Sequence, residues 1–350
     1  MNDQTPDVLD IKPIPLPPLP DRPLVSVLIP NYNYGHLIEE AVASVLRQTY
    51  QRFEIVICDD GSTDNSRSVI EDLAAHEHRI HAIFKPNGGV SSALNAAFTV
   101  SKGEIIALLD ADDVWWPERL DKVVQAFHSC INPGMVVHPL RAIELESGKV
   151  IKSRVPRCPD GGWLAPRLVK GEYCIFPPAS GLSFRREIAI RVFPLPEDFR
   201  TLADGILRER VALLTPVEIV DEVLGVYRQH ISNVTGFYGQ IEKHIAITRA
   251  IITARASFIR SVYGLHLDPL KWIYEPYGWW MKELALAERI LRGERIHPLQ
   301  AIQWTQGKRR IIWTTLSLLP LDWGQKLLRW WWEDNGTLKR IARTVFHFSP

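Results

Sequence analysis

Residues 107–120 read ALLDADDVWWPERL. An apolar run stops at Asp110, Asp112 and Asp113, three carboxylates within four residues, and two tryptophans and a proline follow at once. With GEII before it, the run has the length of a strand over 103–110 and is apolar throughout rather than alternating. A strand of that kind is covered on both faces, as in a parallel sheet between layers of helices. Ligands bind such sheets beyond the carboxyl ends of the strands. This strand therefore carries negative charge to the place where a ligand is expected.

The neighbouring sequence repeats the pattern. LVSVLIP (24–30), FEIVICDD (53–60) and IHAIFKP (80–86) are strand-length apolar runs. HLIEEAVASVLRQ (36–48), GSTDNSRSVIEDLAAHE (61–77), GGVSSALNAAFTV (88–100) and PERLDKVVQAFHS (117–129) have apolar residues at helical spacing. Ser62, Thr63 and Asp64 are candidate N-caps, and Pro117 suits a first helical position. The alternation predicts an α/β fold: a Rossmann-like α/β/α sandwich with a mostly parallel central sheet. MVVHPLRAIELESGKVIKSR (135–154) reads as a hairpin turning at Ser147-Gly148. The expected organisation is a Pro-rich extended tail over 1–23, outside the core, an α/β domain over 24–235, and a helical, basic, Trp-rich extension over 236–350.

The 350 residues are 46% hydrophobic and 23% charged, the balance of a folded globular chain. A formal net charge of +1 conceals an asymmetry: after Gly236 there are 17 Lys+Arg against 9 Asp+Glu, and before it 24 against 31. The acidic part suits cations, the basic part an anionic surface or partner. No nucleic acid is expected among the partners. Cys58, Cys130, Cys158 and Cys174 show neither CxxC nor metal-ligand spacing, which fits a reduced, cytoplasmic chain. The polar, Pro-rich opening does not read as a secretory signal. The apolar run 311–321 is too short to cross a bilayer. The expected location is the cytoplasm, peripheral on the inner face of the cell membrane.

Asp59-Asp60 closes the second strand and Asp110, Asp112 and Asp113 close the fourth, so both clusters arrive at one sheet edge. Carboxylates packed so closely repel one another unless a proton or cation relieves them. Hard oxygen donors suit Mg²⁺ or Mn²⁺. The competing reading, that each acid caps a helix or binds a turn amide, fits a lone Asp better than two clusters. There is no GxGxxG after the first strand and no GxxxxGK[ST], which excludes a dinucleotide fingerprint and a P-loop. PNYNYG (30–35) instead offers a ring, Tyr32, and amide side chains suited to a base, or else Tyr32 is a turn aromatic.

In combined order, 25–66, NGGVSSALNAAF and GEIIALLDADDVWWPERL resemble the nucleotide-sugar-binding half of family 2 glycosyltransferases, which have the GT-A fold. The resemblance is strong from 24 to about 130 and weaker to about 235. It implies an inverting, divalent-metal-dependent transfer of a sugar from a UDP, dTDP or GDP donor to a hydroxyl of a glycan or lipid-linked acceptor. By position, Pro30 and Tyr32 match the segment lining the base, and Asp60 the acid that binds its edge. Asp110 and Asp112 match the DxD acids, with Asp112 the direct metal ligand. His230 and Arg228 of YRQH match positions near the metal and diphosphate. PPASGLSFRRE (177–187) resembles the acceptor side, where the small Ser180 and Gly181 would admit a sugar and a ring such as Trp116 would lie near it. The family's general base sits in an ED pair; here Ala203 replaces the Glu, and Asp204 is preferred over Glu197 and Asp198. Leu94 stands where relatives often carry Arg.

The C-terminal segments KRRIIWTTLSLLPLDW, KLLRWWWEDN and TLKRIARTVFHF mix Arg/Lys with Trp, Leu and Phe, and nine of the twelve tryptophans lie after residue 270. Basic amphipathic helices with Trp suit a membrane interface; they equally suit packing on the catalytic domain or a partner. A catalytically silent sugar-nucleotide-binding scaffold and a nucleotidyltransferase are the alternatives to transfer. The second lacks its activating lysine and glycine-rich first loop.

Overall fold

The computed structural model describes residues 11–129, 131–201, 203–230, 241–269, 279–305 and 307–333. The chain divides into two units, Met1–Leu168 with Cys174–His230, and Val169–Tyr173 with Ile231–Pro350.

In the first unit, β1 (Val25–Asn31), α1 (Ile38–Leu46), β2 (Phe53–Asp59), α2 (Ser66–His76), β3 (Ile80–Phe84), α3 (Val90–Val100) and β4 (Ile105–Leu108) alternate. There follow β5 (Val114–Trp115), α4 (Arg119–Phe127), β6 (Met135–Val137), β7 (Leu140–Glu144), β8 (Val150–Val155), α5 (Ala165–Val169), β9 (Leu182–Arg185), α6 (Arg186–Val192), α7 (Ala203–Leu214), β10 (Val217–Ile219) and β11 (Gly225–Gln229). The main sheet runs β10-β6-β9-β4-β1-β2-β3, and a second one β5-β11-β7-β8. Strands β4, β1, β2 and β3 are parallel, as is β10 with β6; β9 is antiparallel to both β4 and β6. The mixed, mostly parallel sheet with helices is the architecture the apolar runs predict. Every residue of β2 is buried, and six of the seven in β1, which is why these strands carry no alternation.

The register matters for the site. Asn31 at the end of β1 lies opposite Asp59 at the end of β2, and β4 runs parallel beside β1. The acids that follow β2 and β4 therefore leave the sheet on one side. The expected hairpin is β7–β8, with Gly148 at φ +66° in its turn; Met135 to Val137 instead joins the main sheet. Helix α4 begins at Arg119, two residues after Pro117. At α2 the N-cap position is Asn65, which makes no side-chain cap; Asp64, one residue earlier, accepts from Ser66 N through Oδ1 at 2.9 Å. Residues 11–20 of the Pro-rich lead have neither helix nor strand, as an extended segment should, yet they are bound along the first unit.

The second unit is helical where described: α8 (Ile241–Tyr263), α9 (Trp279–Leu291), α10 (Pro298–Trp304), α11 (Gly307–Leu318) and α12 (Leu321–Glu333). Its interior includes Ile259, Leu286, Leu328 and a fully buried Trp313. Glu288 on α9 pairs with Arg249 at 2.6 Å and Arg292 at 2.8 Å. Among the described residues no helix is long and apolar enough to cross a membrane. The amphipathic pattern over 337–348 lies outside the described residues, as do residues 1–10 and 231–240.

Candidate active site

The turn after β2 explains its two acids separately. Asp59 accepts from Asn31 Nδ2 (2.8 Å), Ser62 Oγ (2.5 Å) and Ser62 N (3.1 Å), so it closes the turn and joins it to β1. Gly61 in that turn has φ +74°, a conformation that favours glycine. Asp60 accepts from Gly88 N (2.9 Å), Gly89 N (2.6 Å) and Lys85 Nζ (2.7 Å), and is 3% exposed. A cavity of about 310 Å³ opens here, lined by Asp59, Arg67, Phe84 and Lys85, with the Arg67 guanidinium 4.4 Å above the Phe84 ring. Pro30 is half-buried and Tyr32 is 46% exposed at the end of β1, on the same edge.

After β4 the chain turns sharply and presents Asp110, Asp112 and Asp113, one carboxylate oxygen of each lying within 4.8 Å of the others. Burial, first, and then the neighbouring charges of Asp112 and Asp204 raise the Asp110 carboxyl well above the ordinary range. Asp113 is raised by burial, then by Asp112 and Asp110, against the hydrogen bonds from Ser180 and the Arg228 amide. Crowded, hard oxygen donors of this kind fit a divalent cation, which would relieve the repulsion between them.

Around the acids stands a layer of supporting side chains. His230 Nε2 is 2.9 Å from Asp112 Oδ2, and the Tyr34 ring packs edge-on against the imidazole at 5.5 Å. Burial and then the charges of Asp112, Asp110 and Asp113 push the Tyr34 phenol up. Arg228 donates from Nε to the Asp112 carbonyl and from Nη1 to Glu40. Ser180 donates to Asp113 Oδ2 at 2.5 Å and accepts from Asp110 N at 3.1 Å. Trp115 Nε1 donates to Ser180 O at 2.8 Å, and the guanidinium of Arg119 lies 3.8 Å over the Trp115 ring.

The residues expected on the acceptor side divide. Trp116 is half-buried, with Arg141 5.2 Å over its ring. Ser180 and Gly181 are buried beneath the acids. A Cβ on Gly181 would sit 2.4 Å from His138 O and 2.8 Å from Pro177 Cβ, so the small residue allows two pieces of backbone to meet, not a sugar to enter. Asp204, on the first turn of α7, accepts from Arg208 at 3.2 Å, and its charge reaches Asp110. Glu197 is elsewhere engaged, accepting from Ser92 Oγ on α3 at 3.2 Å. Sequence reasoning missed Tyr34, Glu40 and Lys85. Tyr34 lies two residues from Tyr32 in the same loop, and only the left-handed Asn33 between them (φ +60°) separates their directions.

The sequence model described as glycosyl transferase family 2 matches residues 26–189. An uncharacterized glycosyltransferase of Nostoc is 40% identical over 212 residues, 60% of this chain and 66% of that protein. Among solved structures, Staphylococcus aureus TarS in complex with UDP-GlcNAc superposes with a TM-score of 0.55 at 15% identity, over 87% of this chain and 90% of that one. A mannosyltransferase of Pyrobaculum calidifontis in complex with GDP-Man and Mn²⁺ gives 0.51 at 22% identity, over 92% and 90%. These two show the GT-A fold. With the acids after β2 and β4 at one sheet edge and the family's sequence pattern running through both, the chain belongs to glycosyl transferase family 2.

Proposed function

We propose that the chain transfers a glycosyl group from a nucleotide-diphosphate sugar to a hydroxyl of a glycan or lipid-linked acceptor, with inversion. The observation that carries the reading is the convergence of Asp110, Asp112 and Asp113 at the sheet edge, with the charge of Asp204 felt at Asp110. Asp112, Asp110 and His230 would hold Mn²⁺ or Mg²⁺, which when bound supplies Lewis-acid stabilisation of the diphosphate leaving group. Tyr32 and Pro30 receive the base, with Asp60 and Lys85 at its edge. Arg228 braces the acidic loop and reaches a phosphate oxygen by giving up Glu40, whose side chain is 62% exposed. Trp116 faces the acceptor, while Ser180 and Gly181 support the loop from beneath.

In this mechanism the acceptor oxygen forms a bond to the anomeric carbon as the bond from that carbon to the diphosphate oxygen breaks. Asp204 takes the hydroxyl proton. The electron pair leaves with the nucleoside diphosphate. One displacement with no enzyme-bound sugar inverts the centre.

The test is a calorimetric titration of UDP, GDP and dTDP, with and without Mn²⁺, into the wild type and Asp112→Asn. Metal-dependent binding of one nucleotide, abolished in the variant, is the expected outcome and names the donor class. A folded protein that binds none of them rejects the reading. Binding without transfer to any acceptor favours the silent scaffold, which the Ala203 replacement of the family's Glu keeps in play.

The basic C-terminal region is proposed to meet an anionic membrane surface. Ile311 and Leu318, each 69% exposed, and Trp323, 70% exposed, support this beside the regional surplus of Lys and Arg. Flotation with phosphatidylglycerol vesicles against phosphatidylcholine vesicles tests it; equal recovery, or none, rejects it.

A further inference from the structure

The Pro-rich lead is held by its carbonyl oxygens. Trp163 Nε1 donates to Ile11 O (3.0 Å), Asn132 Nδ2 to Leu16 O (2.8 Å), Arg185 Nη2 to Pro17 O (2.5 Å) and the Tyr50 hydroxyl to Pro23 O (2.6 Å). His128 Nε2 lies 3.2 Å from Pro20 O. In the other direction, Ile14 N donates to Leu214 O at 2.8 Å, at the C-terminal end of α7. Ile11, Ile14, Leu16 and Leu19 are half-buried, and Leu19 packs against the main core, while Pro13, Pro15, Pro17, Pro18 and Pro20 face solvent.

That pattern is one of recognition. Six of residues 11–23 are proline, and six precede one, so ring closure and the clash before each ring hold nearly the whole segment extended before it binds. A segment so restricted loses little entropy on docking. Proline has no N–H, so the segment cannot build a backbone ladder of its own, and the first unit supplies four side-chain donors spaced along it, with His128 Nε2 facing a fifth carbonyl. Arg185 is fully buried, and Pro17 O lies over its guanidinium.

We propose that the first unit carries a groove that recognises an extended, proline-rich segment, lined by Trp163, Arg185, Asn132, His128 and Tyr50, and that residues 11–23 of the same chain are its occupant. The groove lies away from the acids: Arg185 pairs in the sheet with Ile105, at the start of β4, whereas the acids follow its end. The assignment does not depend on the proposed transfer reaction.

The test uses the full chain with Leu16→Asp and Leu19→Asp together, which push two apolar contacts out of the groove. A synthetic peptide of residues 11–23 should then bind saturably, quenching or shifting Trp163 fluorescence, with at least tenfold weaker binding to the wild type, whose own lead competes. Trp163→Phe added to the doubly substituted chain should weaken the peptide several-fold. In the wild type, the Ile14 amide should exchange with deuterium at least tenfold more slowly than in the double variant. A double variant that keeps its circular dichroism but binds no peptide overturns the proposal. If the double variant aggregates, Trp163→Phe in an otherwise unaltered chain decides: unchanged Ile14 exchange overturns the proposal, and faster exchange supports it. A wild-type dimer by light scattering that becomes monomeric in the double variant assigns the lead to a second copy and overturns the occupancy by the same chain.

Discussion

The hydroxyl of Ser180 donates to Asp113 across 2.5 Å, and neither side chain is exposed to solvent. The same hydroxyl oxygen accepts from the amide of Asp110. One serine on the turn before β9 thus fixes two members of the acidic loop after β4. Asp113 also accepts from Arg228 N at 2.9 Å, which joins the loop to β11. Its side chain is the buried fastening of the loop.

Ser180→Ala should therefore cost about 1–3 kcal/mol of stability, the range for stranding a buried polar group. It should also weaken metal-dependent nucleotide binding, because the loop loses its shape, while leaving any metal-independent binding of the base unaltered. Urea denaturation and the nucleotide titration with and without Mn²⁺ measure the two effects. A variant with wild-type stability and wild-type metal dependence would show that the hydroxyl fixes nothing.

His138 gives the fold a sensitivity to acid. The imidazole is fully buried, and burial, with the Arg119 charge second, lowers its pKa from 6.5 to about 3. Its Nε2 faces Arg119 Nε at 3.1 Å and so accepts, which needs the neutral ring. The sign follows from proton counts. Between pH 6.5 and about 3 the unfolded chain holds a proton here that the folded chain does not. Stability therefore falls as pH falls through that window, by up to about 1.4 kcal/mol per unit from this one group. His138→Gln can still accept from Arg119 and does not titrate. Its stability should decline less steeply than the wild type's between pH 6 and pH 4. Parallel urea midpoints across that range would reject the assignment.

Arg119 is a buried cation whose partners are neutral: His138, Ser183 Oγ at 2.7 Å, Leu182 O at 3.2 Å and the face of Trp115. Burial pushes its pKa down to about 9, which leaves it charged at neutral pH. A lysine has neither the fork nor the plane to satisfy all four. Arg119→Lys should lose about 2–4 kcal/mol, the scale for disrupting a buried charged network. Arg119→Met removes the charge that opposes protonation of His138 in the fold, which brings the folded pKa closer to the unfolded one, so its stability should fall less between pH 6 and pH 4 than that of the lysine variant. Denaturation series for the two proteins from pH 7 to pH 4 make the comparison, and coincident limbs would show that Arg119 and His138 are not coupled.

The strands that build the donor side were legible because each is a continuous apolar run with acids or turn residues at its end. Strand β9 was not. Its sequence is LSFR, and both Ser183 and Arg185 are buried in it, so no apolar signal marks it. Its antiparallel place between β4 and β6 depends on partners distant in sequence. The lead over 11–23 was legible as extended but not as docked, because carbonyl oxygens bind it and every residue has one. Small residues at 180 and 181 suggested room for a substrate. Smallness records only that something approaches closely, and here it is the backbone at His138.

Asp204 and Glu197 precede or open the same region of chain, but their surroundings differ. Asp204 acts electrostatically on Asp110, whereas Glu197 is held by Ser92 on α3. Asparagine is nearly isosteric with aspartate and takes no proton from a hydroxyl. Asp204→Asn should lower kcat by about 10²–10⁴-fold, the usual worth of a positioned general base, with nucleotide and metal affinity within about twofold of the wild type. The loss of one carboxylate near Asp110 should also ease its ionisation, so any change in metal affinity should be toward tighter binding at acid pH. Glu197→Gln should keep kcat within about threefold, since its task is a single hydrogen bond between α3 and the loop before α7. Transfer assays on both variants, at saturating donor, decide between them. Wild-type turnover in Asp204→Asn with a collapse in Glu197→Gln would move the proton to Glu197 and require that its bond to Ser92 open during the reaction.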